Sequence, residues 1–195
     1  IIIIGGLMGK DDKIRVFLSR PNPFTEEQAY LIEQLKLFFL EKNIKTITLE
    51  AKDYSPYESL TILNEMIKRC YGMIILAFGH TYISHGIEKK DAIKSDVFFS
   101  SEEKYVKELW ITSTFCQIEG AMAISNNIPI LIIKQNNIKK EGILKEYDNI
   151  ISALNFDLES KESIDSYIND FDTNSVRLWI EKVYDKYKKI EDYIV

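Results

Sequence analysis

The sequence is poor in glycine, proline, cysteine and histidine. Its 195 residues include 8 Gly, 4 Pro, 2 Cys and 2 His. So little glycine and proline argues against a long disordered linker, and two cysteines cannot build a disulfide framework. Cysteine and histidine also lack zinc-binding spacing, so no metal site is expected. Cys70 and Cys116 are therefore expected to be free, buried thiols in a reducing cytosol, which predicts a cytoplasmic protein.

An excess of positive charge is absent as well. The chain carries 25 Lys+Arg against 30 Asp+Glu, a net charge of −5, with both signs mixed along its length. Nucleic-acid binding needs a basic face, so it has no electrostatic support here. The apolar run 1–8 is too short to span a bilayer, so no membrane partner is expected.

The domain organisation follows from length and composition. A hydrophobic fraction of 46% in a chain of this length suits one globular domain with a sizeable core. We assign that domain to 13–195 and interpret 1–12 as an N-terminal extension or the remnant of an upstream region. Homo-oligomerisation and an upstream domain stay open.

Apolar runs alternate with helical stripes along the chain. Strands are predicted at 13–18, 44–49, 73–78 and 128–133, with a last edge strand at 150–156. Helices are predicted after Thr25, over 59–70, 114–125, 162–171 and 175–193. This alternation predicts an α/β fold with a mainly parallel sheet and helices on both faces.

One long charged segment, 79–109, interrupts the alternation. It follows a central strand and carries isolated aromatic residues among many charges. A segment of this length without clear periodicity is typical of a lid or a binding loop. We predict that it is irregular, mobile and next to the cleft; the alternative is a solvated surface loop.

The stretch 109–133 predicts a helix, a tight turn and a buried strand. Thr114 is the predicted N-cap, with Gln117 at capping-box spacing. The inward face is expected to carry four small or apolar side chains: Ile118, Ala121, Met122 and Ser125. Glu119 lies beside that face, near the start of the helix, and is the best candidate for chemistry. The alternative is a solvated glutamate favoured there by the helix dipole alone.

Ligands of parallel α/β sheets bind past the carboxyl ends of the strands. Four segments of the chain are expected to converge there: 19–24, the loop after Leu49, 78–82 and the approach to 114–119. The candidate binding residues come mainly from them: Ser19, Arg20, Pro21, Phe24, Tyr54, Phe78, Gly79, Tyr82, Ser113, Thr114 and Cys116. Aromatic rings such as Phe24, Tyr54 and Phe78 would stack on a base or a nicotinamide. Arg20 and Ser19 would meet phosphate or ribose hydroxyls.

Two motifs carry a family resemblance. The stretch 16–28, Val-Phe-Leu-Ser-Arg-Pro-Asn-Pro-Phe-Thr-Glu-Glu-Gln, resembles the first strand and loop of nucleoside 2-deoxyribosyltransferases. The stretch 116–123, Cys-Gln-Ile-Glu-Gly-Ala-Met-Ala, resembles their helix with the nucleophilic glutamate. Phe-Cys-Gln-Ile-Glu at 115–119 is also similar to the Trp-Cys-x-x-Glu pattern of Toll/interleukin-1 receptor (TIR) domains that cleave NAD. Ser113 stands where the transferases usually carry an aspartate, and Phe115 stands at the TIR tryptophan.

The resemblance implies a flavodoxin-like three-layer sandwich and a hydrolase of the NAD(P)+ nucleosidase type. Glu119 would be its catalytic carboxylate, a small-molecule nucleotide its partner and NAD its substrate, with no cofactor. For TIR-like chains the resemblance also implies a place in bacterial defence. Three alternatives stay open: a nucleotide-sensing module without turnover, a nucleoside deoxyribosyltransferase, and an interaction domain whose C-terminal helix docks a partner.

Overall fold

The computed structural model describes residues 13–49, 59–93, 102–145 and 150–191. The strands are β1 Ile14–Ser19, β2 Ile44–Ile47, β3 Gly72–Ala77, β4 Thr81–Glu88, β5 Lys104–Ile111, β6 Ile130–Lys134 and β7 Ile150–Ser152. The helices are α1 Glu26–Glu41, α2 Ser59–Lys68, α3 Thr114–Ser125, α4 Lys161–Asn169 and α5 Asn174–Glu191, with a 3₁₀ turn at Gly142–Leu144. None of the described helices has the length and apolar character needed to cross a bilayer.

Five strands form one parallel sheet in the order β2-β1-β3-β6-β7. Counted along the chain within this sheet, the order is 2-1-3-4-5, which is that of flavodoxin-like folds. The predicted parallel α/β fold is therefore confirmed, and the strands predicted at 13–18, 44–49, 73–78 and 128–133 each overlap a strand of this sheet. The predicted edge strand at 150–156 is shorter, although Phe156 forms an isolated bridge with Gln135.

Side chains of alternate strand residues enter two separate cores, because successive residues of a strand point to opposite faces. One core lies between the sheet and helices α1, α4 and α5, and its strand side chains are Ile14, Val16, Leu18, Ile44, Ile74, Leu76, Leu131 and Ile133. The other lies under α2 and α3, and its strand side chains are Phe17, Met73, Ile75, Ala77, Ile130 and Ile132. Helices thus cover both faces of the sheet.

The aromatic stripe of α5 belongs to the first core. Trp179 and Val183 are fully buried, and the indole Nε1 of Trp179 donates to the carbonyl of Pro129 at 3.1 Å. Gly72 permits this close packing, because a Cβ there would lie 2.6 Å from Val183 Cγ2. The core-packing interpretation of this stripe therefore fits the structure.

Much of the segment 79–109 is a hairpin, which corrects the prediction of irregular structure. Strands β4 and β5 pair antiparallel from Thr81↔Ile111 to Glu88↔Lys104; 94–101 lie outside the described residues. Most side chains of both strands are exposed or half-buried, so the hairpin has no sustained apolar face for periodicity to reveal. Its mobility stays a prediction.

The start of α3 also differs from the prediction. The N-cap is Ser113, whose Oγ accepts from the backbone N–H of Phe115 at 3.2 Å. Gln117 makes no capping box, because its side chain bonds to the segment before the 3₁₀ turn and to the turn itself. Its Oε1 accepts from Ile143 N at 2.8 Å, and its Nε2 donates to Glu141 O at 3.3 Å.

The buried face of α3 is rotated from the predicted one. It consists of Cys116, Glu119, Gly120 and Ala123, so Glu119 lies on the buried face and not beside it. The helix is apolar on most sides, and hydrophobic periodicity therefore gives no clear direction. The end of the helix is as predicted, with Asn126 as C-cap and Asn127 at a φ of 52°.

Candidate active site

Helix α3 brings Glu119 to the carboxyl edge of the sheet. The helix packs on β1 and β3, and Glu119 is only 5% exposed. Gly120 makes this approach feasible. A Cβ at that position would lie 2.8 Å from Ile143 Cγ1 and 2.9 Å from Ile75 Cδ1, so a larger residue would push α3 away from the sheet. The absence of a side chain at Gly120 thus lets α3 hold the Glu119 carboxyl group close to the sheet.

A cleft of about 500 Å³ opens onto Glu119. This volume falls within the usual range for small-molecule sites. The lining comes from the chain after β1, β2 and β3 and from the start of α3: Arg20, Pro21, Asn22, Pro23, Phe24, Thr48, Leu49, His80, Ser113, Phe115 and Glu119. The cleft therefore lies past the carboxyl ends of neighbouring parallel strands, as fold logic requires.

A larger cleft of about 750 Å³ lies beside the far end of α3, between Gln117, Ile130 and Ile151. Its lining is mostly apolar, and Lys182 is the one ionisable side chain among its described lining residues. These described lining residues include no carboxyl, imidazole or thiol group. We therefore place the candidate site in the smaller cleft, which holds a buried carboxyl group.

The pKa of Glu119 is raised from 4.5 to about 7, chiefly because burial disfavours the charged carboxylate. The nearby Ser19 hydroxyl acts in the opposite direction and lowers this pKa. Glu119 is consequently close to half ionised at neutral pH. A carboxyl group that titrates near the working pH of an enzyme, and lies in a cleft, is a candidate for catalysis.

A small buried polar cluster lies behind the carboxyl group. Ser19 and Thr112 are 1% and 6% exposed, and the hydroxyl oxygens of both have no hydrogen-bond partner in the described chain. Cys116 lies between them. Burial raises the pKa of its thiol to about 12, whereas the Ser19 and Thr112 hydroxyls lower this pKa. Cys116 is therefore a neutral thiol and not a nucleophilic thiolate.

Four of the predicted binding residues lie in the cleft with Glu119. These are Arg20, Pro21, Phe24 and Ser113. Ser19 and Cys116 are adjacent to Glu119 but behind the cleft wall, since neither lines the cleft and both are buried. Tyr54 lies outside the described residues.

The remaining predicted binding residues do not line the cleft. Phe78 is fully buried in the core under α1, and Gly79 lies against the indole of Trp110. Tyr82 packs on the same indole, with ring centroids 5.0 Å apart. Thr114 is exposed at the first position of α3. The structure thus gives these four residues positions outside the predicted site.

Several cleft residues were not named individually from the sequence, although most of them lie in the four segments predicted to converge there. They are Asn22, Pro23, Thr48, Leu49, His80 and Phe115. His80 directly follows the end of the central strand β3, a position that could have indicated it. Phe24 and Phe115 are 57% and 41% exposed, and two exposed phenylalanine rings at one cleft are unusual enough to suggest a ligand surface.

The charges in the cleft are few. Arg20 brings a guanidinium group, whose Nη1 donates to Pro21 O at 3.0 Å. Glu119 is the one acidic residue among the described lining residues, and His80 brings an imidazole. No cluster of three or more His, Cys, Asp or Glu side chains suited to a metal ion occurs in the described ranges. The site thus combines one carboxyl, one guanidinium and one imidazole group with two aromatic rings.

No protein-family model and no curated protein matches the chain. Among solved structures, it is similar to the CMP N-glycosidase BcmB of Clostridium botulinum, with 16% identity over 81% of this chain and 97% of that chain, at a TM-score of 0.43. It is also similar to a conserved protein of Enterococcus faecalis V583, with 13% identity over 89% of this chain and 99% of that chain, at a TM-score of 0.40. These likenesses are distant, so we argue function from the cleft itself.

Proposed function

We propose that this protein hydrolyses the C1′–N glycosidic bond of a nucleotide, with Glu119 as the catalytic carboxylate. The observation that carries the proposal is a buried carboxyl group, with a pKa near 7, in a cleft at the carboxyl edge of a parallel sheet. The other cleft groups match the parts of a nucleotide. A guanidinium suits phosphate, and aromatic rings suit a base.

The chemistry needs one carboxylate at C1′. Breaking the C1′–N bond develops oxocarbenium character at that carbon, which a carboxylate stabilises or attacks. In the covalent version, the Glu119 oxygen forms an ester bond to C1′ while the base leaves with the electron pair of the C1′–N bond. Water then attacks the ester, and Glu119 is released as the carboxylate with a free ribosyl product and one proton.

The leaving group decides the substrate class. Among the described lining residues, no second carboxyl group is present to protonate a departing base. Nicotinamide bound as a pyridinium leaves as a neutral molecule and needs no proton. NAD and related pyridinium nucleotides are therefore the substrates that need the fewest catalytic groups from this cleft, because they need no general acid. Other bases would need the His80 imidazole as a general acid.

Candidate binding groups line the same cleft as the carboxyl group. Arg20 follows β1 and supplies positive charge for a phosphate or pyrophosphate. Phe24 and Phe115 come from different elements and line the same cleft, so a planar base can stack on either ring. These groups would orient the sugar so that C1′ faces Glu119.

A nucleotide sensor is the second candidate. Its support is that about half of Glu119 is protonated at neutral pH, and a protonated carboxyl group is not a nucleophile. The same arginine and phenylalanine side chains would then hold a nucleotide without cleaving it. Sensor and hydrolase differ in turnover and not in binding.

Chromatography with mass spectrometry distinguishes the candidates. The purified full chain is incubated separately with NAD, with nucleoside monophosphates, and with a deoxynucleoside plus an acceptor base. We expect nicotinamide and ADP-ribose from NAD. Base exchange on the deoxynucleoside would instead identify a transferase. Saturable NAD binding without any released base would overturn the hydrolase proposal and leave the sensor.

A further inference from the structure

Ser19 occupies a position that the cleft lining does not explain. It ends β1 and has the same strand parity as Phe17, whose side chain enters the core under α3. Its side chain therefore points toward α3. Ser19 is 1% exposed and does not line the cleft, so a bound nucleotide would meet Glu119 and not the Ser19 hydroxyl.

The surroundings of the Ser19 hydroxyl indicate which group it can bind. Its oxygen is buried without a hydrogen-bond partner in the described residues. Its polar neighbours are the carboxyl group of Glu119 and the neutral thiol of Cys116. Buried hydroxyls are nearly always paired, so an orphan one requires an explanation. A serine hydroxyl can rotate to donate its proton to a neighbouring acceptor, and an ionised carboxylate is the stronger acceptor of the two neighbours.

We propose that Ser19 is a positioning residue for Glu119, whose hydroxyl donates a hydrogen bond to the ionised carboxylate and holds it toward the cleft. A protonated carboxyl group accepts this hydrogen bond only weakly, whereas the ionised carboxylate accepts it strongly. Ionisation of Glu119 therefore strengthens the contact that orients its carboxylate. The catalytic consequence rests on the proposed function, whereas the hydrogen bond itself does not.

Of the groups around Glu119, Ser19 is the one whose hydrogen bond lowers the pKa of its carboxyl group. Arg20 and His80 line the cleft, and Cys116 lies beneath as a neutral thiol. Among the described residues, α2, β6 and the 142–144 turn add no charged side chain to the cleft. Replacing Ser19 therefore removes a donor to the carboxylate and leaves the surrounding charges in place.

Thr112 offers a matched control. Its hydroxyl is also buried and without a partner in the described part of the chain. It acts on the Cys116 thiol, but it does not contribute to the pKa of Glu119. Thr112→Val removes this hydroxyl and keeps the shape of the side chain. The pair Ser19→Ala and Thr112→Val thus separates a specific donor from general disturbance of the buried cluster.

The test is an NMR titration of the full chain labelled with ¹³C at the glutamate carboxyl carbon. Glu119→Gln assigns the Glu119 signal. We expect Ser19→Ala to raise the titration midpoint of Glu119 by about one pH unit or more, because the charged form loses a donor, and Thr112→Val to leave it unchanged. Ser19→Cys, a weaker donor, gives an intermediate midpoint and replaces the alanine variant if that fails to fold.

Turnover provides a second readout. With NAD as probe, Ser19→Ala should lower kcat about tenfold below pH 7, with recovery at higher pH and little change in KM. An unchanged titration midpoint in Ser19→Ala, or an equal change in Thr112→Val, would overturn the proposal. If the wild-type protein releases no base, the proposed function fails while the NMR titration still decides the role of Ser19.

Discussion

Glu119 differs from most glutamates near a helix start because it lies on the buried face of α3. A glutamate near a helix start is usually solvated and stabilised by the helix dipole. Here the residue shares a buried face with Cys116, Gly120 and Ala123, and burial raises its pKa to about 7. The protein therefore carries a carboxyl group that exchanges its proton in the neutral range.

Glu119→Gln tests the catalytic assignment. We expect kcat for nicotinamide release to fall by about 10³-fold or more, with the Kd for NAD within a few-fold of wild type, because a nucleophile contributes mainly in the transition state. Turnover and calorimetric binding should be measured on both proteins. Glu181→Gln, at an exposed position of α5, is the control and should behave as wild type. Normal turnover by Glu119→Gln would disprove the assignment.

Activity should depend on pH in the direction set by Glu119. If the carboxylate attacks C1′, only the ionised form is active, so kcat/KM for NAD should rise with pH and level off above about 7. A general-acid role would give the opposite slope. Initial rates from pH 5 to 9, at constant ionic strength, distinguish the two. A flat profile would show that Glu119 does not titrate in the rate-limiting step.

Stability should follow the same group with a definite sign. The pKa of Glu119 is about 7 in the folded protein and 4.5 in the unfolded reference. Between these values the folded chain binds more protons, so folding stability falls as pH rises. The difference corresponds to about 3 kcal/mol. Urea unfolding at pH 5 and pH 8 should show that wild type loses this much relative to Glu119→Gln. An equal pH dependence of the two proteins would contradict the raised pKa.

At the scale of elements, α3 shows which features of a helix the sequence predicts and which it does not. Its existence, its Asn126 end and the presence of a carboxylate at the sheet edge were all predictable from capping and strand order. Its N-cap and its inward face were predicted wrongly. Both errors have a physical reason, since Ser113 and Thr114 are adjacent hydroxyl residues and the helix is apolar on most sides. Tertiary contacts through Gln117 and Gly120 select the actual face.

Gly120→Ala should disturb α3 more than its helix propensity suggests. Alanine favours a helix over glycine by about 1 kcal/mol, but the added Cβ would lie under 3 Å from Ile143 and Ile75. We expect a net loss of about 1–3 kcal/mol, as for other overpacked cores, and reduced turnover because Glu119 moves with the helix. Denaturant unfolding measures the loss. Ile124→Ala, at a 52% exposed position of the same helix, should change stability by under about 0.5 kcal/mol. A more stable Gly120→Ala protein would contradict the packing argument.

The site was harder to predict than the helix because strand parity and tertiary packing decide which side chains reach it. Phe78 follows Ala77, which points into the core under α3, so Phe78 alternates into the other core. It therefore cannot face the cleft. Arg20, Pro21 and Phe24 were predictable because the Pro-rich loop after β1 ends at the sheet edge. Phe115 needed the packed structure, whereas the place of His80 directly after β3 could have indicated it.

At the scale of the whole molecule, the two-layer cover of the sheet was predictable, and the hairpin was not. Continuous apolar runs such as 73–78 indicate strands that are buried on both faces. The β4–β5 hairpin lies outside this sheet, and isolated two-stranded sheets are marginally stable in water. Its attachment runs largely through Trp110, which packs against Gly79 and the core under α3.

The two tryptophans of the chain should therefore report separate stabilities. Trp110→Phe leaves only Trp179, in the core under α5, and Trp179→Phe leaves only Trp110, at the base of the hairpin. We expect the Trp110 fluorescence to change at a lower urea concentration than the Trp179 fluorescence, because the side chains of both hairpin strands are exposed or half-buried. Far-ultraviolet circular dichroism of both variants supplies the midpoint of global unfolding. Coincident transitions would show that the hairpin and the sheet unfold as one unit.

The base of the hairpin has a consequence for how this fold can be altered. The backbone N–H of His80 donates to the carbonyl of Ile111 at 2.9 Å, so the chain leaves the sheet edge and returns to the same place. Because the two ends of the β4–β5 hairpin already meet, the hairpin can be lengthened, shortened or replaced by grafting without stretching β3 before it or α3 after it. The hairpin can thus be exchanged while α3 keeps the Glu119 carboxylate in place. A new ligand-binding surface could be added on the hairpin without moving the helix.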